Sequence, residues 1–149
     1  MALKIGADLP SIDAATDWIN GEIGSGDLLG APSLVYFWAV SCHICKDNLP
    51  KLAQWRDKYG DDLQMVGIHM PRQEEDTDIE AVKKAIQDYS IPDPVGIDNT
   101  HSVGEAFENS FWPAYFLFDK DGKLRSRTAG DVGLDMLQKT LDKVMTEAA

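Results

Sequence analysis

The stretch WAVSCHICKDNLP, Trp38 to Pro50, holds both cysteines of the chain, Cys42 and Cys45, with two residues between them. Three chemistries fit such a pair: reversible disulfide formation, two ligands of a metal, or the packing of two small buried side chains. The flanking residues bear on the choice. Before the pair, SLVYFWA, Ser33 to Ala39, is almost wholly apolar and rich in β-branched and aromatic residues, bounded by Gly30 and Pro32. That is the pattern of a strand covered on both faces. After it, Cys42, Cys45, Leu49, Leu52, Trp55 and Tyr59 recur every three or four residues until Gly60, which predicts a helix. The pair thus stands at a strand-to-helix turn. Pro50 lies inside the helical pattern, where it removes an amide donor and crowds the preceding turn, so a kink near Cys45 and Lys46 is expected.

Working outward, LQMVGIHM, Leu63 to Met70, reads as a second buried strand closed by Pro71. The acidic run EEDTDIE suits a helix N-terminus, and Ile79, Val82, Ile86 and Tyr89 give that helix its apolar stripe. VGID, Val95 to Asp98, is a short strand, and SVGEAFE a brief helix. AYFLFDKDGKLRSRTAG is a hairpin turning at Asp121 and Gly122, and Leu134, Leu137, Leu141, Val144 and Met145 mark a last amphipathic helix. Strands alternating with helices, then a hairpin and a helix, predict an α/β fold: a central mixed sheet with helices on both faces. Its chemistry is expected at the carboxyl ends of the parallel strands.

At 149 residues, with no internal repeat or linker, the chain is expected to be one domain over residues 1–149. Twenty-five acidic against 14 basic residues give a net charge of -11, which repels a phosphate backbone, so nucleic acid is excluded as a partner. No apolar run is long enough to span a bilayer, and MALKIGADLP lacks the features of a secretory signal, so the chain reads as cytoplasmic. In a reducing compartment any disulfide would be transient.

A helical i, i+3 relationship brings the two Cα atoms to about 5–6 Å, within reach of a disulfide. A helix N-terminus favours thiolate at Cys42, making it the attacking sulfur and Cys45, one turn on, the resolving one. A structural metal site needs four ligands. Cys42 and Cys45 supply two, and His43, His69 and His101 show no HxxxH spacing to complete it. A metal or copper carrier built on the pair and a histidine remains an alternative class of function.

LVYFWAVSCHICKDNLPKL, the FWP at Phe111 to Pro113, and LFDKDGKL together resemble the thioredoxin superfamily, in particular its TlpA/ResA-like branch of small thiol-disulfide oxidoreductases. The resemblance runs from about Gly6 to the end of the chain. It implies a thioredoxin fold and reduction of protein disulfides through Cys42 and Cys45, with no cofactor and no metal. It also implies a separate electron-donating reductase and a monomer in the cytosol. Pro113 matches the family's cis-proline facing the pair, which would turn the backbone of Trp112 toward an extended substrate. A thiol peroxidase is the other enzymatic alternative, but FWAVSC lacks that family's proline and threonine ahead of the cysteine.

The chain also departs from the pattern. Tyr36 stands where thioredoxins keep a buried aspartate, and Asn48 where the TlpA/ResA-like branch has a glutamate, so both usual proton acceptors for Cys45 are missing. Either water or His69, near the carboxyl end of its strand, takes that proton, or the resolving step is slower. Ser41 replaces a tryptophan before the first cysteine, which would shift substrate choice. His43, between the cysteines, would favour thiolate when protonated, and with a reference pKa of about 6.5 it acts as a tuner. Trp18, Trp38 and Trp55 are expected to pack.

Overall fold

In the computed structural model, which describes residues 3–149, the strands are β1 (Asp17–Ile19), β2 (Ser33–Trp38), β3 (Gln64–His69), β4 (Val95–Ile97), β5 (Ala114–Phe118) and β6 (Leu124–Ala129). The helices are α1 (His43–Asp47), α2 (Leu49–Tyr59), α3 (Ile79–Asp88), α4 (Ser102–Ala106) and α5 (Gly133–Ala148). One mixed sheet takes the order β1-β4-β3-β2-β5-β6. Strands β2, β3 and β4 run parallel, while β1, β5 and β6 each pair antiparallel with a neighbour. This is the thioredoxin-like fold that the motif implied, with β2 at its centre.

Every residue of β2 is buried, as an unbroken apolar run requires. Its two-residue period sends Leu34, Tyr36 and Trp38 to one face, packed with residues of α1, α2, α3 and α5. Val35 and Phe37 go to the other face, covered by α4, the Ser25–Leu28 turn and the N-terminal segment. Helices do lie on both faces, but the long ones crowd onto one. Trp38 and Trp55 are buried in that first core, and Trp18 packs on the second.

Two expected features move. The break attributed to Pro50 falls at Asn48, not near Cys45 and Lys46: α1 ends at Asp47 and α2 starts at Leu49, so Pro50 occupies the first turn of α2. There its missing N–H would have had no helical partner, and the clash with the previous turn disappears. The acidic run does not open α3 directly. Glu74–Thr77 forms a separate 3-10 turn, and α3 starts after Asp78, whose carboxylate accepts from the Glu80 N–H at 3.0 Å. Strand β1, absent from the sequence reading, pairs with β4 through three residues. Among the described residues no helix is long and apolar enough to cross a membrane.

Candidate active site

The parallel strands deliver the two cysteines to the carboxyl edge of the sheet. Cys42 lies four residues past β2 and caps α1 in an extended conformation (φ -91°, ψ 101°), its N–H donating to Ala39 at 3.0 Å. Cys42 and Cys45 are joined by a disulfide across a Cα–Cα distance of 5.3 Å. The Cys45 N–H donates to Cys42 Sγ at 3.1 Å, a bond that would strengthen toward a thiolate. With exposures of 2% and 3%, overall burial does not separate the two residues. Their positions do, since only Cys42 precedes the helix and receives its amide.

The segment leading into Cys42 is held from the end of β3. His69 is fully buried, and its Nε2 accepts from the Val40 N–H at 3.0 Å, so the ring proton resides on Nδ1. The His69 ring meets the Trp38 indole edge-on at 4.9 Å between centroids. Burial, opposed by the nearby Asp76 carboxylate, pushes the His69 pKa down to about 4. A histidine whose lone pair is engaged and whose affinity for protons is this low does not serve Cys45 as a base; it anchors the loop at Val40.

Ser41 is gripped next to it. Its hydroxyl donates to Asp76 Oδ2 at 2.6 Å and its N–H to Asp76 Oδ1 at 3.1 Å. Asp76 also accepts from the Arg72 N–H at 2.9 Å, and the Arg72 guanidinium donates to the Ser41 carbonyl at 3.0 Å. Burial alone would raise the Asp76 carboxyl, but the bonds from Ser41 and Arg72, with His69 nearby, bring it below its ordinary value. The hydroxyl and N–H of Ser41 are thus engaged by Asp76 and its carbonyl by Arg72. Asp76 and Arg72 were not singled out from the sequence, where Asp76 belongs to the acidic run that suits a helix N-terminus and Arg72 lies just before it.

The Trp112-Pro113 peptide bond is cis, as the family motif implied. Register brings it to the cysteines: Ala114 pairs with Phe37, so Pro113 stands beside the end of β2. The Trp112 indole N–H donates to the Met70 carbonyl at 2.6 Å, just past β3, and Pro113 C=O accepts from Gly130 at 3.0 Å. Among the described residues the Trp112 main-chain N–H and C=O carry no hydrogen bond. They remain available to an extended peptide. His43 is exposed on α1, its Nε2 3.4 Å from Asp47 Oδ2. The Asn48 amide donates to the Ile44 carbonyl at 2.8 Å, closing the end of α1.

Tyr36 is not an empty substitution for an acid. Its hydroxyl donates to Asp93 Oδ2 at 2.7 Å, and Arg56 grips both Asp93 oxygens, at 3.1 and 2.6 Å. Burial and then Asp93 raise the Tyr36 hydroxyl well above the ordinary phenol value, which keeps it a donor. The ring reaches Asp93 by crossing its neighbour Gly67 on β3, where an added Cβ would stand 3.0 Å from the Tyr36 ring. The position that carries an acid in thioredoxins here helps tie α2 to the approach to β4.

A central strand that delivers a CxxC disulfide to a helix start, with a cis-proline loop beside it on a mixed sheet, defines a thioredoxin-like thiol-disulfide oxidoreductase. The chain belongs to the AhpC/TSA family, whose model matches residues 5–127. It is 40% identical to thiol-disulfide oxidoreductase YkuV of Bacillus subtilis, across 97% of this chain and 99% of that protein. It is 27% identical to thiol-disulfide oxidoreductase ResA of Bacillus anthracis, across 95% of this chain and 79% of that one. The solution structure of a thioredoxin-like protein in the oxidized form superposes with a TM-score of 0.86 at 40% identity, covering 97% of this chain and 99% of the other.

Proposed function

We propose that the protein reduces protein disulfides by dithiol-disulfide exchange, acting as a single thioredoxin-like domain, monomeric and in the cytosol. The observation that carries this reading is the Cys42–Cys45 disulfide at the end of β2, on the same sheet edge as the unengaged main chain of Trp112. In the reduced protein the Cys42 thiolate attacks one sulfur of a substrate disulfide, forming a mixed disulfide and releasing one substrate thiolate, which takes a proton. Cys45 then loses its proton and attacks Cys42 Sγ, breaking the mixed disulfide and releasing the second substrate thiol. Two electrons and two protons pass to the substrate, and a reductase returns them to the pair by the same exchange in reverse. His69 is engaged at Val40 and Asp93 is held by Arg56 and Tyr36, so Cys45 gives its proton to water.

The test of the roles is direct. Cys42→Ser abolishes reduction of a disulfide substrate, whereas Cys45→Ser accumulates mixed disulfides visible on non-reducing gels. Trapping by the Cys42 variant would reverse the assignment. The equilibrium potential sets the direction of electron flow, near about -270 mV for a reductant and about -120 mV for an oxidant.

A further inference from the structure

The Ser41 brace has a chemistry of its own. Of the groups that bear on the Cys42 sulfur, His43, Lys46 and Asp47 lie on α1 itself. His69 faces the segment from β3, and Arg72 and Asp76 reach it from the connection that follows. His69 is neutral near pH 7 because burial lowers its pKa to about 4. His43 and Asp47 sit exposed, where solvent screens them. Arg72 and Asp76 differ from these in being bonded to the residue adjoining the nucleophile. Asp76 is 3% exposed and takes both donors of Ser41, while the Arg72 guanidinium takes its carbonyl.

We infer that Asp76 and Arg72 are positioning residues that fix the approach to Cys42 and set, with opposite signs, the charge its sulfur experiences. The inference rests on Cys42 being the attacking sulfur. A buried carboxylate bonded to the residue next to Cys42 opposes formation of a second negative charge there, and it also holds the Ser41 hydroxyl as its own donor. The Arg72 cation favours that charge. The pair holds reactivity between two limits: without Asp76 the thiolate forms more readily, and without Arg72 less readily. A brace acting only as scaffold has no such opposition, since loss of either member would loosen the same segment.

The signs make the test. In the Cys45→Ser background, where Cys42 is the sole thiol, its titration is followed by thiolate absorbance. Asp76→Asn, which retains an acceptor for Ser41 but no charge, lowers the Cys42 pKa by about one unit. Asp76→Ala lowers it at least as far, and the Asn variant carries the test if the Ala variant does not fold. Arg72→Gln raises it, by about half a unit for a more exposed charge. Below the pKa the rate of alkylation rises with thiolate content, offset in part by the weaker nucleophile, for a net gain of about three- to fourfold in Asp76→Asn. Shifts of the same sign in both variants, or none in Asp76→Asn, overturn the brace. Alkylation of the reduced wild-type protein separates the two levels of the reading. Labelling at Cys45 first overturns the role of Cys42 and this inference with it, whereas labelling at Cys42 first with an unmoved pKa overturns the brace alone.

Discussion

His69 links the loop before Cys42 to the stability of the whole chain. Burial lowers its pKa from 6.5 to about 4, with Asp76 opposing, so below about pH 6.5 the unfolded chain takes up a proton that the folded chain refuses. Stability should therefore fall as the pH drops from 6.5 toward 4, by about 3 kcal/mol in all. Denaturant titrations of the oxidised protein at pH 7.5, 6 and 5 read that slope. His69→Gln, whose amide oxygen can accept from Val40, should flatten it between pH 6.5 and 5, where carboxylates contribute little. Equal slopes in the two proteins would mean that His69 titrates as it does in solvent. At this scale the legible part of the site was what lies within a short motif: Cys42, Cys45 and Pro113. Asp76, Arg72 and Asp93 escaped because their meaning lies in partners 35, 31 and 57 residues away. Nothing in an acidic run marks which carboxylate turns inward. A signal for Asp93 was nonetheless present in the pairing of Tyr36 with a glycine on the next buried strand, since a ring needs such a gap to cross.

Between elements, the joint of α1 and α2 and the tie from α2 to β4 decide how the cysteine helix is held. Asp93 is buried and paired, so Asp93→Ala leaves both Arg56 and the Tyr36 hydroxyl without their acceptor and should cost about 3 kcal/mol. Tyr36→Phe removes only one neutral donor and should cost about 1 kcal/mol. Equilibrium unfolding of the two variants measures both, and a Tyr36→Phe loss as large as that of Asp93→Ala would shift the weight from the ion pair to the hydroxyl. At the joint, Asn48 is partly exposed, so a carboxylate introduced there would stay ionised near neutral pH and able to accept a proton. Asn48→Glu should speed resolution of a preformed mixed disulfide at Cys42, by 10² or less out of the roughly 10²–10⁴ that a well-placed base contributes. Stopped-flow detection isolates that step, and an unchanged rate across pH 6 to 9 would mean that proton loss from Cys45 does not limit it. Periodicity revealed the long elements well, since β2, β3 and α5 each repeat their pattern over several residues. It missed β1, whose three residues are too few to show alternation, and misplaced the kink. The proline rule locates a clash, while the chain relieves it at the nearest residue able to end one helix and begin the next, here Asn48.

Over the whole molecule, the alternation of strands and helices was enough to anticipate a mixed sheet, but not that α2, α3 and α5 would share one face. Which face a crossover helix takes is a matter of connection geometry that local pattern does not carry. Charge is the property that composition states directly. A net charge of -11 on 149 residues, with Arg56, Lys84, Lys123 and Arg125 already committed to ion pairs, leaves a negative field around the protein. The immediate neighbourhood of Cys42 is mixed, Lys46 and Arg72 standing against Asp47 and Asp76. The long-range attraction should accordingly follow the net charge and favour cationic substrates. Two disulfide-linked peptides of one sequence, flanked by four lysines or by four glutamates, separate the contributions. At about 10 mM salt, where the screening length is about 30 Å, the reduced protein should reduce the lysine peptide about tenfold faster in the second-order regime. At about 0.5 M salt the screening length falls to a few ångströms, and the two rates should converge. Preference for the glutamate peptide at low salt would mean that Lys46 and Arg72 govern the encounter in place of the net charge.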